Sequence, residues 1–303
     1  MFQTYIFDLY GTLADIHTDE ESWEVWSKMR LLYAYHGANY RVEELRTAYE
    51  QAVRNAIDFA LKVDFEEKLK EDKLKEVKDS SSNEAKKQLV KVEIQILLVF
   101  QELFRAKGVS VTNEECTYIA QFFRGLTTSY VKLYKGAKEL LKQLKDKKKK
   151  VYLLSNAQAA FTRGELMMLG IESYFDGILL SSDTKYAKPD PRFYEQLLRT
   201  YQIDPTTAIM IGNDLVADCQ GAKNMGLHTC YMHSNLSPIE DQEALNQAKR
   251  KQGEKKQDEM DQDKRSQEVI HLVDLGQGIN QIADFIVDHT DLNEVADKII
   301  RKS

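Results

Sequence analysis

The chain is poor in cysteine and has no long apolar run. Its three cysteines, Cys116, Cys219 and Cys230, are odd in number and lack the close spacing of paired zinc ligands, so neither a disulfide framework nor a structural zinc is expected. No stretch approaches the roughly 18 apolar residues of a membrane span, and no signal peptide opens the chain. The sequence therefore predicts a cytoplasmic protein with no membrane partner.

The chain also lacks an excess of positive charge. Lysine and arginine number 42 against 48 aspartates and glutamates, which gives a formal net charge of −6. A nucleic-acid partner is not expected from this balance, and the four lysines of residues 147–150 have no interleaved aromatic residues. With 303 residues the chain is long enough for two domains.

Short apolar runs alternate with helical patterns in the second half of the chain, which predicts a parallel sheet with helices on both faces. A first strand, Tyr5-Ile6-Phe7, comes directly after the N-terminus. The fold class is therefore α/β, with a doubly wound parallel sheet. The expected elements are a helix at 136–147, strand 151–155, helix 158–169, strand 177–181, helix 191–201, strand 208–212, helix 216–225, strand 227–232, edge strand 283–287 and closing helix 292–300.

Between the first strand and this alternation, the apolar residues follow a helical period. Trp23, Trp26 and Met29 are three residues apart, and a similar pattern runs through 42–57. Residues 66–91 are rich in lysine and glutamate and predict a solvated helix–loop–helix, and a last helix is expected at 119–130. An all-helical unit inserted into the sheet is therefore predicted.

A second charged stretch, residues 240–268, contains almost no large apolar residue. Such a segment buries too little surface to offset the entropy of ordering it, so it predicts a mobile insertion or an exposed helix held by charge pairs.

Polar residues follow the predicted strands at four places. Asp8-Leu9-Tyr10-Gly11-Thr12 follows the first strand, Ser155-Asn156 ends the second, Lys188 precedes a helix, and Gly212-Asn213-Asp214 follows another strand, with Asp218 four residues later. Singly, each is explained by a strand-end hydrogen bond, a solvated cation or a helix cap. Together and in this order they predict a site at the carboxyl ends of parallel strands, where α/β sheets bind ligands.

In these four motifs the chain resembles the haloacid dehalogenase-like (HAD) hydrolase superfamily, whose members are mostly phosphatases. The resemblance implies a Rossmann-like core at 1–14 and 131–303, a helical cap domain at 15–130, and a covalent intermediate formed by Asp8. A carboxylate can act as a nucleophile when the charge of its target is neutralised. Lys188 would supply the fixed positive charge.

The other motif residues are expected to hold the reacting group and a metal. Ser155 and the Gly11–Thr12 amides would bind the oxygens of the transferred group. Asn156 would orient the rim of that group. Asp8, the Tyr10 carbonyl and Asp214 are the predicted Mg²⁺ ligands, because Mg²⁺ binds charged oxygens best. Asn213 is the alternative to Asp214, and Asp218 is expected to pair with Lys188 or to lie in a second layer around the metal.

Tyr10 departs from the phosphatase pattern, which has a second aspartate at this position to protonate the leaving group. A phenol with a pKa near 10 is a poor replacement, whereas family members that cleave carbon–halogen bonds carry a tyrosine here. Those members need no metal, however, and carry Ser and Asn where this chain has Gly212 and Asp214. The four motifs together therefore predict a Mg²⁺-dependent phosphatase of a small phosphorylated metabolite. A metal-independent 2-haloacid dehalogenase and a non-catalytic binding protein of the same fold stay open as alternatives.

Overall fold

The computed structural model describes residues 2–76, 92–243, 245–246 and 282–301. Eight strands occur in these ranges, and they are numbered in chain order: β1 Thr4–Phe7, β2 Ala14–Thr18, β3 Thr128–Leu133, β4 Lys150–Ser155, β5 Gly177–Leu180, β6 Ala208–Gly212, β7 His228–Met232 and β8 Phe285–Val287. Six of them form one sheet in the order β5-β4-β1-β6-β7-β8, and every neighbouring pair is parallel. The predicted α/β sheet is confirmed, with β8 as an edge strand.

Nine α-helices are described, and four of them lie between β2 and β3: α1 Trp23–Tyr35, α2 Val42–Glu76, α3 Ile96–Arg105 and α4 Asn113–Thr127. The others belong to the sheet half: α5 Ala137–Asp146, α6 Ala159–Leu169, α7 Pro191–Tyr201, α8 Gly221–Asn224 and α9 Leu292–Arg301. A π-helical turn, Leu215–Gln220, leads into α8. The predicted helices of the sheet half are confirmed except that the helix expected at 216–225 is divided at this turn.

The sheet is covered by apolar clusters on both faces because alternate residues of each strand point to opposite sides. In β1, Tyr5 and Phe7 pack with α5 and α9, while Ile6 packs with α7 and α8. This arrangement is that of a doubly wound sheet.

The four helices α1 to α4, called the cap here, have an apolar cluster of their own. The Trp26 ring lies 4.9 Å from that of Tyr49 and 5.6 Å from that of Phe123. Phe161 at the start of α6 packs against the same cluster. The cap therefore rests on α6 of the sheet half.

Two strands at the base of the cap were not predicted. β2 and β3 pair antiparallel, and β3 occupies residues 128–133, so the helix expected at 119–130 ends at Thr127 instead. β3 is short and its side chains are half-buried or exposed, which explains why it lacks a hydrophobic strand pattern.

The two charged segments lie partly outside the described residues. Residues 66–76 continue α2 and residues 77–91 are not described. At 240–268, the prediction of a mobile or exposed segment is wrong for the first turn, because Asp241 and Leu245 are buried and Leu245 belongs to the same apolar cluster as Tyr231. The rest of that segment lies outside the described residues.

No helix among the described residues is long and apolar enough to cross a membrane. Cys116, Cys219 and Cys230 are free thiols and all three are buried.

Candidate active site

The predicted site residues meet at the carboxyl ends of three adjacent strands. β1 lies between β4 and β6, and Phe7 is in register with Leu153 and Ile211. Asp8 follows β1, Ser155 ends β4, and Asn213 follows β6. The parallel register therefore brings residues more than 140 positions apart to one edge of the sheet.

Asp8 is held by two donors on the same oxygen. Ser155 Oγ donates to Asp8 Oδ1 at 2.9 Å, and Lys188 Nζ donates to it at 2.7 Å. The side chain of Asp8 is buried, and no described residue donates a hydrogen bond to Oδ2. One carboxylate oxygen is thus fixed, while the other is available to react or to bind a metal.

Lys188 is shared between two carboxylates. Its Nζ also donates to Asp218 Oδ1 at 2.6 Å, and Lys188 and Asp218 are 2% and 1% exposed. Burial alone would lower the pKa of Lys188, but the Asp218 and Asp8 carboxylates hold it well above its ordinary value. Burial raises the pKa of Asp218, and the Lys188 charge opposes this shift only in part. Lys188 is therefore a permanent cation in a site that is otherwise acidic.

Gly212 is the residue that allows Asp218 to come this close. A Cβ at Gly212 would lie 2.1 Å from Asp218 Cγ. Asp218 lies on the π-helical turn, and its Oδ2 accepts a hydrogen bond from the Asp214 amide at 3.0 Å. Such turns often occur at functional sites, and here the turn directs Asp218 towards Lys188.

The two candidate metal ligands after β6 have different surroundings. Asn213 Oδ1 accepts a hydrogen bond from Thr12 Oγ1 at 3.3 Å, and a Cβ at Gly11 would lie 2.3 Å from Asn213 Nδ2. Asp214 Oδ1 instead accepts from the amides of Val216 and Ala217 and caps the π-helical turn. Of the two side chains, Asn213 is the one that contacts the turn after Asp8.

The prediction that the Gly11 and Thr12 amides bind the transferred group is wrong. The Gly11 amide donates to the Ala14 carbonyl at 2.8 Å, and that of Thr12 donates to the Leu9 carbonyl at 3.2 Å. Within the described part of the chain, the amides of Leu9 and Tyr10 form no hydrogen bond. These two amides come directly after Asp8, and Leu9 is buried whereas Tyr10 is half-buried.

Asn156 positions the backbone of Lys188. Its Nδ2 donates to the Lys188 carbonyl at 2.9 Å, and its Oδ1 accepts from the Lys188 amide at 2.7 Å. Asn156 therefore fixes the loop that carries Lys188, and its role in orienting the transferred group stays a prediction.

The Tyr10 hydroxyl is bound to the core helix α6. It donates to Glu165 Oε2 and lies 3.0 Å from Thr162 Oγ1. Burial, followed by the negative charge of Glu165, raises the pKa of Tyr10 well above its ordinary value. Arg124 of α4 donates to the same carboxylate through Nε at 2.7 Å. Sequence reasoning missed Glu165 and Arg124, which no local motif marks.

The oxygen donors at the strand ends include one unengaged carboxylate oxygen, Asp8 Oδ2, and the Asn213 amide oxygen. This set fits Mg²⁺, which binds proteins through few carboxylates and keeps several waters. No group of three or more histidine, cysteine, aspartate or glutamate side chains in the described ranges is arranged to hold a metal ion. A metal here would therefore depend on amide or carbonyl oxygens as well.

A cavity of about 500 Å³ lies elsewhere, between α2, α3 and the loop of residues 184–186. Its lining is mostly apolar and includes Phe59, Leu98 and Tyr186, but none of Asp8, Ser155, Lys188 and Asp218. These four predicted site residues are thus outside this cavity.

Comparisons with known proteins find curated relatives over part of the chain. The chain is 28% identical over 133 residues to the pyrimidine 5'-nucleotidase PynA of Streptococcus pneumoniae, which is 44% of this chain and 55% of that protein. It is 30% identical over 112 residues to a phosphoserine phosphatase of Thermus thermophilus, which is 37% of this chain and 45% of that protein. The chain thus spans about half the length of these curated relatives.

A solved structure has the same fold along its whole length. The crystal structure of a 2-haloacid dehalogenase from Pseudomonas syringae superposes with a TM-score of 0.52, covers 100% of both chains and is 15% identical. The sequence also matches the haloacid dehalogenase-like hydrolase family over residues 2–226. This chain belongs to the haloacid dehalogenase-like hydrolase family.

Proposed function

We propose that the protein is a hydrolase in which Asp8 is the nucleophile. The observation that supports this role is the asymmetric environment of its carboxylate. Oδ1 accepts hydrogen bonds from Ser155 and Lys188, whereas Oδ2 has no partner among the described residues. A fixed carboxylate with one unengaged oxygen beside a permanent cation is suited to attack an electrophile whose charge the cation neutralises.

The substrate that we propose is a small phosphorylated metabolite. Both curated relatives named above act on phosphate esters according to their names. The Lys188 ammonium donates to Asp8 Oδ1, and the amides of Leu9 and Tyr10, which directly follow Asp8, form no hydrogen bond among the described residues. Donors of this kind suit the oxygens of a phosphoryl group.

In the first step Asp8 Oδ2 attacks phosphorus, and the bond between phosphorus and the ester oxygen breaks with its electrons on the leaving alcohol. Water supplies the proton of the alcohol, because the Tyr10 hydroxyl donates to Glu165. In the second step water cleaves the aspartyl phosphate, which releases inorganic phosphate and restores Asp8.

A divalent cation is part of this proposal. Lys188 carries one positive charge and pairs with two carboxylates, Asp8 and Asp218, so the site has a net negative charge. A bound phosphate would add further negative charge to it. Mg²⁺, when bound, would neutralise the phosphate oxygens. Asp8, the Tyr10 carbonyl and either Asn213 or Asp214 would hold it, and the contact between Asn213 and Thr12 favours Asn213.

A second candidate is hydrolysis of a 2-haloacid by the same nucleophile. Tyr10 favours it, because a halide needs no proton on leaving and the Tyr10 hydroxyl is bound to Glu165. In that reaction Asp8 Oδ2 attacks carbon, the carbon–halogen bond breaks, and water cleaves the resulting ester.

A screen of phosphate esters and 2-haloacids, each with Mg²⁺ and with EDTA, tests the proposal. We expect phosphate release that depends on Mg²⁺ and falls by orders of magnitude in Asp8→Asn, with a cooperative thermal transition retained in that variant. Halide release at full rate in EDTA, with no turnover of any phosphate ester, would overturn the phosphatase assignment. A near wild-type rate in Asp8→Asn would overturn the nucleophile.

A further inference from the structure

Three separate parts of the chain meet at the carboxylate of Glu165. Tyr10, from the turn after the nucleophile, donates to Oε2, and Arg124, from cap helix α4, donates to Oε1 at 2.7 Å. Glu165 itself lies on core helix α6. One buried carboxylate therefore links the nucleophile turn, the core and the cap.

Burial makes it costly to separate Arg124 from Glu165. Glu165 is 7% exposed and the Arg124 side chain is 17% exposed, and the guanidinium also lies over the rings of Tyr10 and Phe161. A buried carboxylate without its cation is strongly disfavoured. Movement of α4 away from α6 would leave Glu165 as such a group, so the pair favours the arrangement in which the two helices are packed.

Among the described residues, the other ion pairs between cap and core do not reach the nucleophile turn. Arg192 pairs with Asp64 of α2 at 2.5 Å, and Lys185 pairs with Glu67 at 3.0 Å. Both join α2 to the loop and helix around Lys188. The Glu165 pair is distinguished from them by the hydrogen bond from Tyr10, two residues after Asp8.

We propose that Glu165 is a positioning residue that holds the nucleophile turn and the cap helix α4 together through Tyr10 and Arg124. Weakening the Arg124–Glu165 pair reduces the fraction of molecules in which α4 is seated, that is, packed against α6. Apparent substrate affinity falls by that fraction, while the rate of the seated complex changes little. The effect on KM rests on the proposed function, but the seating of α4 does not.

The test compares four variants. Glu165→Gln and Arg124→Gln remove one charge of the pair, Arg124→Lys keeps the charge but loses the planar guanidinium, and Arg105→Gln is the matched control. Arg105 donates through Nε to Glu102 at 2.6 Å, but both residues lie on the exposed surface of α3 and join no two parts of the fold.

Seating is measured without substrate, by the distance between spin labels at Tyr118→Cys on α4 and Met168→Cys on α6. Both positions are exposed, and the three native cysteines are buried. We expect one narrow distance distribution in the labelled parent and in Arg105→Gln, and a broader, longer one in Glu165→Gln and Arg124→Gln. Arg124→Lys should recover part of the narrow population. Unchanged distributions in both glutamine variants would overturn the proposal, whether or not a substrate is known.

Kinetics with a substrate from the screen give the second readout. We expect Glu165→Gln and Arg124→Gln to raise KM about 10-fold or more with kcat within about threefold of the parent, as a smaller seated fraction requires. A loss of kcat at constant KM would instead show that the network acts on the chemical step, and the positioning role would be wrong.

Discussion

Tyr10 occupies the position where phosphatases of this family are expected to have a second aspartate. Its hydroxyl is bound to Glu165 and Thr162, so it does not replace the proton donor that the aspartate would supply. For a phosphatase without that donor, the leaving group must take its proton from water. The rate is then expected to depend steeply on the basicity of the leaving alcohol.

Changing Tyr10 to aspartate tests this point. For a phosphatase, we expect Tyr10→Asp to raise the rate with alkyl phosphates by up to about 10²- to 10⁴-fold, the range of positioned proton transfer, and to affect p-nitrophenyl phosphate far less. Steady-state rates with the two esters measure it. Tyr10→Phe is the control, because it removes the hydroxyl without adding an acid. An equal gain in Tyr10→Phe would show that loss of the Glu165 hydrogen bond, not acid catalysis, is responsible.

Some site residues could be predicted from local sequence motifs, and others could not. Asp8, Ser155, Lys188 and Asp218 could be predicted because each follows a strand or precedes a helix within a recognisable motif, and the structure brings them together. Glu165 and Arg124 are 41 positions apart and lie in ordinary helices. Their pairing depends on how the cap packs on α6, which no local pattern contains.

At the scale of elements, the π-helical turn after β6 determines where Asp218 points. Gly212→Ala is expected to displace Asp218, because the added Cβ would lie 2.1 Å from its carboxyl carbon. The variant should lose the ion pair with Lys188 and should melt well below the parent, since breaking a buried pair costs about 3–5 kcal/mol. Gly164→Ala in α6 is the control: nothing lies within 4 Å of its Cβ, and it should stabilise by about 0.5–1 kcal/mol. Equal melting temperatures for the two variants would contradict this assignment.

Asp241 supports the same turn from outside the sheet, by accepting a hydrogen bond from the Leu215 amide at 2.7 Å. Burial raises its pKa from 3.8 to about 6, with a further contribution from Asp214. Because the folded state binds this proton more tightly than the unfolded state, ionisation of Asp241 destabilises the fold progressively as pH rises from about 4 to about 6.

Asp241→Asn keeps an acceptor for the Leu215 amide and removes the buried charge. We therefore expect this variant to melt a few degrees above the parent at pH 7, with the difference shrinking as pH falls towards 4. Thermal melts across this pH range measure it. A variant that is less stable than the parent at pH 7 would show that the carboxylate is needed at the turn in its charged form.

The sheet and its helices could be predicted because buried strands and amphipathic helices have distinct periods. β2 and β3 could not, because neither carries a continuous apolar run and the two pair with each other across 110 to 119 positions of the chain. The buried first turn of the charged stretch was missed for a similar reason. Leu245 is a single apolar residue in a polar context, and the cluster that it shares with Tyr231 forms only in the folded chain.

At the scale of the whole molecule, the chain passes from the core into the cap and back at one place. The Asp19 amide donates to the Thr127 carbonyl at 2.7 Å, directly beyond the paired strands β2 and β3. The two ends of the helical insert are thus adjacent, and the insert has its own apolar cluster. A core that folds without the cap is therefore expected.

Replacing residues 20–126 with an Asn-Gly turn tests this division into two domains, because Asn-Gly closes a hairpin between paired strands. Glu165→Gln must accompany the deletion, since Arg124 is lost and the buried carboxylate would have no cation. We expect a cooperative thermal transition and residual hydrolysis of p-nitrophenyl phosphate, with kcat/KM lower by about 10²-fold because nothing holds the substrate against Asp8. Asp8→Asn in the same background should abolish the residual rate. A deletion variant that aggregates or unfolds without cooperativity would show that cap and core form one folding unit.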